Sequence, residues 1–311
     1  MADKHDGSGS GSGPQTRAVR PLVVTCVALL YILLWSSAFI ATRVGVQHSP
    51  PLSLLCIRFL IAAGLLAALA RLRGLPAPRG RQAWLRLALF GLLNSGLYLG
   101  FSYEATRQMS AGMGSIIAAL NPLLLTLMAP RLLGERLRPG KVLGLVLGFG
   151  GVVFVMGARL GGGGKVDTAG GMALAVVGVI CLVCGTIVYK RWSPREHPLV
   201  INAVQLSAAG LALLPALLVE HPERVHLDAP LLWSAVYLVF AISIGASLLW
   251  FWLLERGEAS VVSAYYFLTP IFGLGLAALL LGEPFGLRDG IGLLAVAAGI
   301  ALINRTAPVR G

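Results

Sequence analysis

Charge is what this sequence has least of. Only 12% of its 311 residues are Asp, Glu, Lys or Arg, against roughly a quarter in a soluble domain, so most of the chain has no aqueous surface to cover. Acidic residues number 13, and they fall at the ends of apolar runs rather than inside them. A carboxylate-based proton antiport and a pocket for organic cations both want a buried carboxylate, so both readings lose support. The four cysteines, Cys26, Cys56, Cys181 and Cys184, sit within apolar runs. Cys181 and Cys184 form a C-x-x-C, but no second ligand pair or nearby histidine completes a metal set, and they read as small packing residues. Histidine is scarce too: His5, His48, His197, His221 and His226 lie in tails or at helix ends, so no cluster at one membrane depth supports an integral-membrane enzyme. No cofactor and no metal site is read from the sequence.

What is abundant is apolar. Hydrophobic residues make up 57% of the chain and mean hydropathy is +0.81. A spanning helix uses ~20 apolar residues, and runs bounded by Gly, Pro and charge predict spans at 22–42, 51–70, 83–102, 107–129, 139–157, 169–189, 198–219, 230–252, 259–281 and 287–304. The fold class expected is therefore all-α integral membrane, with ten transmembrane helices and no room for a sizeable soluble domain. The net charge of +12 lies between the apolar runs and not along one polar face, which excludes a nucleic-acid partner and marks topology instead. With the N-terminus cytoplasmic, eighteen Lys and Arg fall on the inner side and six on the outer, and Arg58 is left within a span. Both termini are expected in the cytoplasm of a bacterial-type inner membrane. The segment 1–20, with its GSGSGSG, reads as a flexible tail, and 306–311 as a short C-terminal one.

The chain resembles itself at an offset of 148 residues. Twelve identities align 111–151 with 259–299 without a gap, among them Ala111/Ala259, Ser115/Ser263, Pro122/Pro270 and Leu133-Gly134-Glu135 over Leu281-Gly282-Glu283. Pro50 and Pro198 fall on the same offset, and Trp35 to Arg43 lies over Val183 to Arg191. At ~30 residues per span the repeat holds five spans, and an odd number forces the second copy into the bilayer from the opposite side. Two inverted five-helix repeats, 21–157 and 169–305, joined by an external linker at 158–168, are expected, an architecture associated with alternating access.

These same residues resemble the EamA-type carriers of the drug/metabolite transporter superfamily. The likeness rests on Trp35-Ser-Ser-Ala-Phe39 with Arg43, Pro51 with Arg58-Phe-Leu, Ala111, Pro122, Gly134-Glu135 and glycines 144, 148 and 151, and on Ala259, Pro270, Gly282-Glu283, Gly292 and Gly299. The resemblance implies a helical bundle around a central substrate cavity. Secondary transport that exports amino acids or similar metabolites, including aromatic or amphipathic ones, is what it implies for activity. Efflux of toxic compounds is the alternative, and a membrane enzyme or sensor the reading of another class.

Candidate substrate contacts follow from position. Arg58 lies seven residues after Pro51, ~10 Å into the bilayer at 1.5 Å per residue, where a guanidinium faces the bundle interior and holds either a substrate carboxylate or helix-end carbonyls. Trp35, Tyr98 and Tyr265 lie deep enough to line a cavity. Asn94, Gln205 and Ser263 are polar groups that either bind substrate or bridge helices. Asn121 and Thr269 precede Pro122 and Pro270, which kink their helices and free a carbonyl. Glu135 and Glu283 follow Leu-Gly and read as helix caps. The glycines of the fifth and tenth spans read as packing positions in preference to a dimer face, so the expected partners are a small-molecule substrate and the lipid bilayer, with the protein a monomer.

Overall fold

Lipid offers no hydrogen-bond partner to the backbone, so a chain this apolar satisfies its amides within its own helices. The computed structural model describes residues 21–133, 139–161, 167–192, 194–220, 225–255 and 269–305, and among them there are helices and no strands. We number the helices α1 (Pro21–His48), α2 (Pro51–Leu72), α3 (Arg81–Ala105), α4 (Ala111–Ala118), α5 (Leu120–Leu133), α6 (Pro139–Gly161), α7 (Ala169–Trp192), α8 (Pro198–Val219), α9 (229–255), α10 (Thr269–Leu281) and α11 (Leu287–Arg305). Six of them, α1, α2, α3, α7, α8 and α9, are long and apolar enough to cross a membrane, and shorter apolar helices cover Ala111–Leu125, Val142–Val155 and Thr269–Leu281. Large apolar side chains lie exposed along them, Leu218, Trp233, Leu294 and Val146 included, the inverse of a soluble surface and the dress of a lipid-facing one.

The helix ends depart from the sequence expectation in instructive ways. α1 runs to His48, six residues beyond 42, because nothing between Ile40 and His48 breaks a helix. The fourth span starts at Ala111 and not at 107, since Ser110 adopts an extended conformation and its hydroxyl accepts from the Met113 N–H at 3.2 Å, an N-cap. That span is also interrupted. α4 ends at Ala118 and α5 resumes at Leu120, with the Ala119 N–H turning back to Ile116. Pro122 supplies no N–H to the Ala118 carbonyl four residues earlier, which is why the turn tightens there. α3 and α9 each contain a π-helical stretch, Leu92–Leu97 and Leu238–Ala246, and these fall on the 148-residue offset. Such widened turns concentrate at functional sites.

Two interfaces hold the bundle. α2 packs along α8, where Leu55, Phe59, Ala62 and Leu66 meet Val200, Ala203, Val204 and Ala209 in one buried cluster. α6 packs along α11 at backbone contact distance: a Cβ on Gly299 would lie 2.5 Å from the Gly144 carbonyl oxygen, and one on Gly151 would lie 2.7 Å from that of Gly292. Small residues let two helices approach this closely, so the packing reading of these glycines holds. Gly299→Ala is expected to lower folding stability by ~1–3 kcal/mol, the usual size of an overpacking penalty. Gly150→Ala, on the same helix pair with no heavy atom within 4 Å, should leave the thermal midpoint in detergent unchanged or raised.

Candidate functional site

Positions 35, 38, 39 and 42 of α1, and 99, 102, 103 and 106 at the end of α3, each follow the i, i+3, i+4, i+7 spacing of one helix face. The two faces meet. With Ile117 and Ala118 of α4, Ala175 and Val179 of α7, Ile242 of α9 and Arg58 of α2, they line a narrow, largely apolar cavity of about 40 Å³. Trp35 stands in its wall, part of an aromatic series that runs Trp250, Tyr31, Trp35, Tyr98 with ring centroids 5.5, 6.1 and 6.4 Å apart in turn. Such faces accept flat or apolar groups by stacking.

Arg58 is the charged group of that lining. It is 4% exposed, and its partners are neutral: Nε donates to the Ser243 hydroxyl at 2.8 Å and Nη1 to the Tyr103 hydroxyl at 2.5 Å. The guanidinium also lies 5.7 Å from the Phe59 ring centroid and 5.9 Å from that of Tyr103, a cation–π arrangement. Among the described residues no carboxylate pairs with it. A buried cation held by hydroxyls and rings keeps much of its desolvation cost uncompensated, and a substrate anion would supply what the protein does not. Behind Ser243 a chain of amides continues: the Asn202 amide donates to the Ser243 carbonyl at 3.0 Å, Gln205 donates to Asn202 at 2.6 Å, and Asn94 donates to Gln205 at 3.5 Å.

The structure thus sorts the residues nominated by the sequence. Trp35, Arg58 and Tyr98 come together at the cavity. Asn94 and Gln205 bond each other across α3 and α8 and are absent from the lining, which is the helix-bridging role. Asn121 and Thr269 each carry a buried oxygen without a hydrogen-bond partner, and Pro270 is buried beside Thr269. Glu135, Ser263 and Tyr265 lie outside the described residues. Tyr103, Ser102, Thr106 and Thr42 were missed, although their spacing within apolar runs is itself a signal.

Glu283 does cap a helix, but not the one next to it in sequence. Its two carboxylate oxygens accept from the N–H groups of Ala111 at 2.8 Å and Gly112 at 2.9 Å, 172 and 171 residues away in the chain. Gly282, at φ 64°, makes the left-handed turn that aims it there. Glu220 does the same for α2, accepting from Leu52 and Ser53 N–H at 3.2 and 2.6 Å. Asp167 accepts from Ser110 N–H at 2.7 Å. At the start of α9, Asp228 accepts from Leu231 N–H at 3.1 Å and meets His48 Nδ1 at 2.6 Å; the backbone N–H first, and His48 second, hold its carboxyl below the ordinary range. Its cap therefore stays charged as pH falls until the carboxyl's depressed pKa is reached.

The model of the EamA-like transporter family matches this chain twice, over residues 22–157 and 169–305. The chain belongs to the EamA-like transporter family. It is a multi-pass membrane transporter and not an enzyme. The uncharacterized transporter YvbV of Bacillus subtilis is 30% identical over 287 residues, covering 91% of this chain and 92% of the relative. A probable amino-acid metabolite efflux pump of Salmonella typhimurium is 29% identical over 308 residues, covering 92% and 98%. A solved crystal structure with 25% sequence identity superposes with a TM-score of 0.67 and covers 90% of this transporter and 96% of that chain. In this EamA-like transporter, Tyr103→Phe would leave a guanidinium N–H buried without a partner, a loss of ~1–3 kcal/mol. A lowered thermal midpoint of the detergent-purified variant is the expected result.

Proposed function

We propose that this transporter exports amino acids, with aromatic or amphipathic ones favoured, by alternating access between two inverted five-helix repeats. One observation carries the reading: a guanidinium buried in the cavity wall, without a carboxylate partner among the described residues and beside stacked aromatic rings. An amino-acid carboxylate pairs with the first and a flat or apolar side chain with the second. The name of the Salmonella relative is consistent with such a cargo. The described residues that line the cavity include no Asp or Glu, which weighs against organic-cation efflux.

Ten spans in two copies, 21–157 and 169–305 about a linker at 158–168, are supported by the double family match and by π-helical stretches that share the 148-residue offset. The charges separate accordingly. The helix-capping carboxylates Asp167, Glu220, Asp228 and Glu283 sit on the side where α1 ends and α2 and α4 begin. Arg73, Arg79, Arg81, Lys190, Arg191 and Arg195 lie where α2 and α7 end. The positive-inside rule puts the second side, with both termini, in the cytoplasm of a bacterial inner membrane.

Counterflow into liposomes loaded with single amino acids tests the cargo. Movement of aromatic or other amphipathic amino acids is expected, and no flux of any panel member under imposed substrate and ion gradients would overturn the reading. Arg58→Ala should lower that flux ~10–100-fold, the worth of one charge-assisted pair, while folded yield falls less. Equal loss of both would make Arg58 structural. Single cysteines placed at Lys165 and Arg79 should label from outside at the first position alone.

A further inference from the structure

Buried polar atoms nearly always find a partner, so those that do not ask for a reason. Among the described residues two buried side-chain oxygens have none: Asn121 Oδ1 and Thr269 Oγ1. They stand 148 residues apart, and each immediately precedes a proline, Pro122 and Pro270. Thr269 is 1% exposed. Two orphaned oxygens at equivalent points of a repeated sequence are not two independent accidents of packing.

Thr269 belongs to α10, and Asn121 is the second residue of α5, just past the break that follows α4. α4 and α10 lie antiparallel, with Gly273 against Ser115 and Gly112 against Leu274 and Ala277. One turn further along, that register brings Thr269 level with Ala119, at the interruption between α4 and α5. There the Ala118 carbonyl lacks its helical donor because residue 122 is proline. The Ala118 carbonyl is thus a further acceptor at this break, and Ala118 also lines the central cavity. The place is tied to α1 as well, since the buried Ser36 hydroxyl donates to the Thr269 carbonyl at 3.3 Å, next to Trp35.

An amide oxygen, a hydroxyl and a free carbonyl at a helix break, with no net charge between them, form a donor set for a small monovalent cation. Unwound backbone and half-helix ends bind Na⁺ in this way in carriers that cross the bilayer with broken helices. We propose that Asn121, Thr269 and the Ala118 carbonyl form a monovalent-cation site at the α4/α10 crossing, filled either by the α-ammonium group of the transported amino acid or by a free Na⁺. The ammonium case rests on the amino-acid cargo proposed for this transporter: Arg58 takes the carboxylate and this site the other end of the zwitterion. The Na⁺ case does not, and would make the site one of energy coupling.

Two measurements separate these. Proteoliposome counterflow compares phenylalanine with 3-phenylpropionate, which keeps the ring and carboxylate and lacks the amine. Thermal unfolding of the purified full chain compares NaCl with choline chloride at equal ionic strength. The variants are Thr269→Val, which keeps shape and loses the hydroxyl, Asn121→Leu, and Thr269→Ser, which keeps the hydroxyl and should behave as wild type.

If the ammonium occupies the site, wild type prefers phenylalanine by about tenfold or more, and Thr269→Val and Asn121→Leu reduce that preference with little change for 3-phenylpropionate. If Na⁺ occupies it, wild type melts at a higher temperature in Na⁺ than in choline, and the same two variants lose the difference. Discrimination and melting both unchanged in variants that fold would overturn the site. Should wild type move no amino acid, the cargo reading fails by itself, and the Na⁺ shift alone decides: its presence supports the site and its absence overturns it.

Discussion

Inside a bilayer the backbone has to satisfy its own hydrogen bonds, and the details of this molecule reflect how it meets that demand where a helix cannot. The first N–H groups of a helix have no carbonyl to reach. At α2 and α4 those amides are taken by carboxylates from distant parts of the chain, Glu220 and Glu283. Each such cap is also a tie between the two halves of the sequence. Helix ends that elsewhere are local affairs thereby become tertiary contacts, and the favourable alignment of an anion with a helix dipole adds to the hydrogen bonds.

The guanidinium of Arg58 is governed by the same shortage of partners. Hydroxyls of Ser243 and Tyr103 and two aromatic rings hold it, and an amide chain through Asn202 and Gln205 braces Ser243 from behind. None of these groups carries negative charge. A carboxylate built into the wall would neutralise the arginine permanently and leave nothing for an incoming anion to gain. On the proposed reading, neutral support fixes the geometry while keeping the charge available to a substrate anion, as a structural ion pair would not.

Much of this was legible in the sequence. Arg58 stood out because an arginine in an apolar run is expensive, Trp35 and Tyr98 because they lay deep in theirs, and the α6/α11 contact because its glycines recur. Tyr103 escaped because one tyrosine near the end of an apolar run looks like an interface anchor; only the joint spacing with Leu99, Ser102 and Thr106 puts it on a single face. Asn94 and Gln205 looked equally suited to substrate and to each other, and nothing local decides between those partners. The partner of Glu283 was unreadable for a related reason: sequence shows that a carboxylate comes after a turning glycine, while its target, Ala111, is brought near by the folding of the whole bundle.

The two π-helical stretches bear on the history of the chain. A π turn holds one more residue than an α turn of similar rise, so it behaves as an insertion swallowed by the helix, and it rotates the C-terminal part of that helix by ~100° relative to the N-terminal part. If the halves arose by duplication, the 148-residue offset holds before these stretches, at Pro50 and Pro198, and after them, at Ala111 and Ala259. Neither half has gained or lost a residue relative to the other in between. The swallowed residue is then older than the divergence of the halves, an ancestral trait inherited by both, and a one-residue deletion in either stretch would turn the cavity-facing side chains of that helix away from their places while barely shortening it.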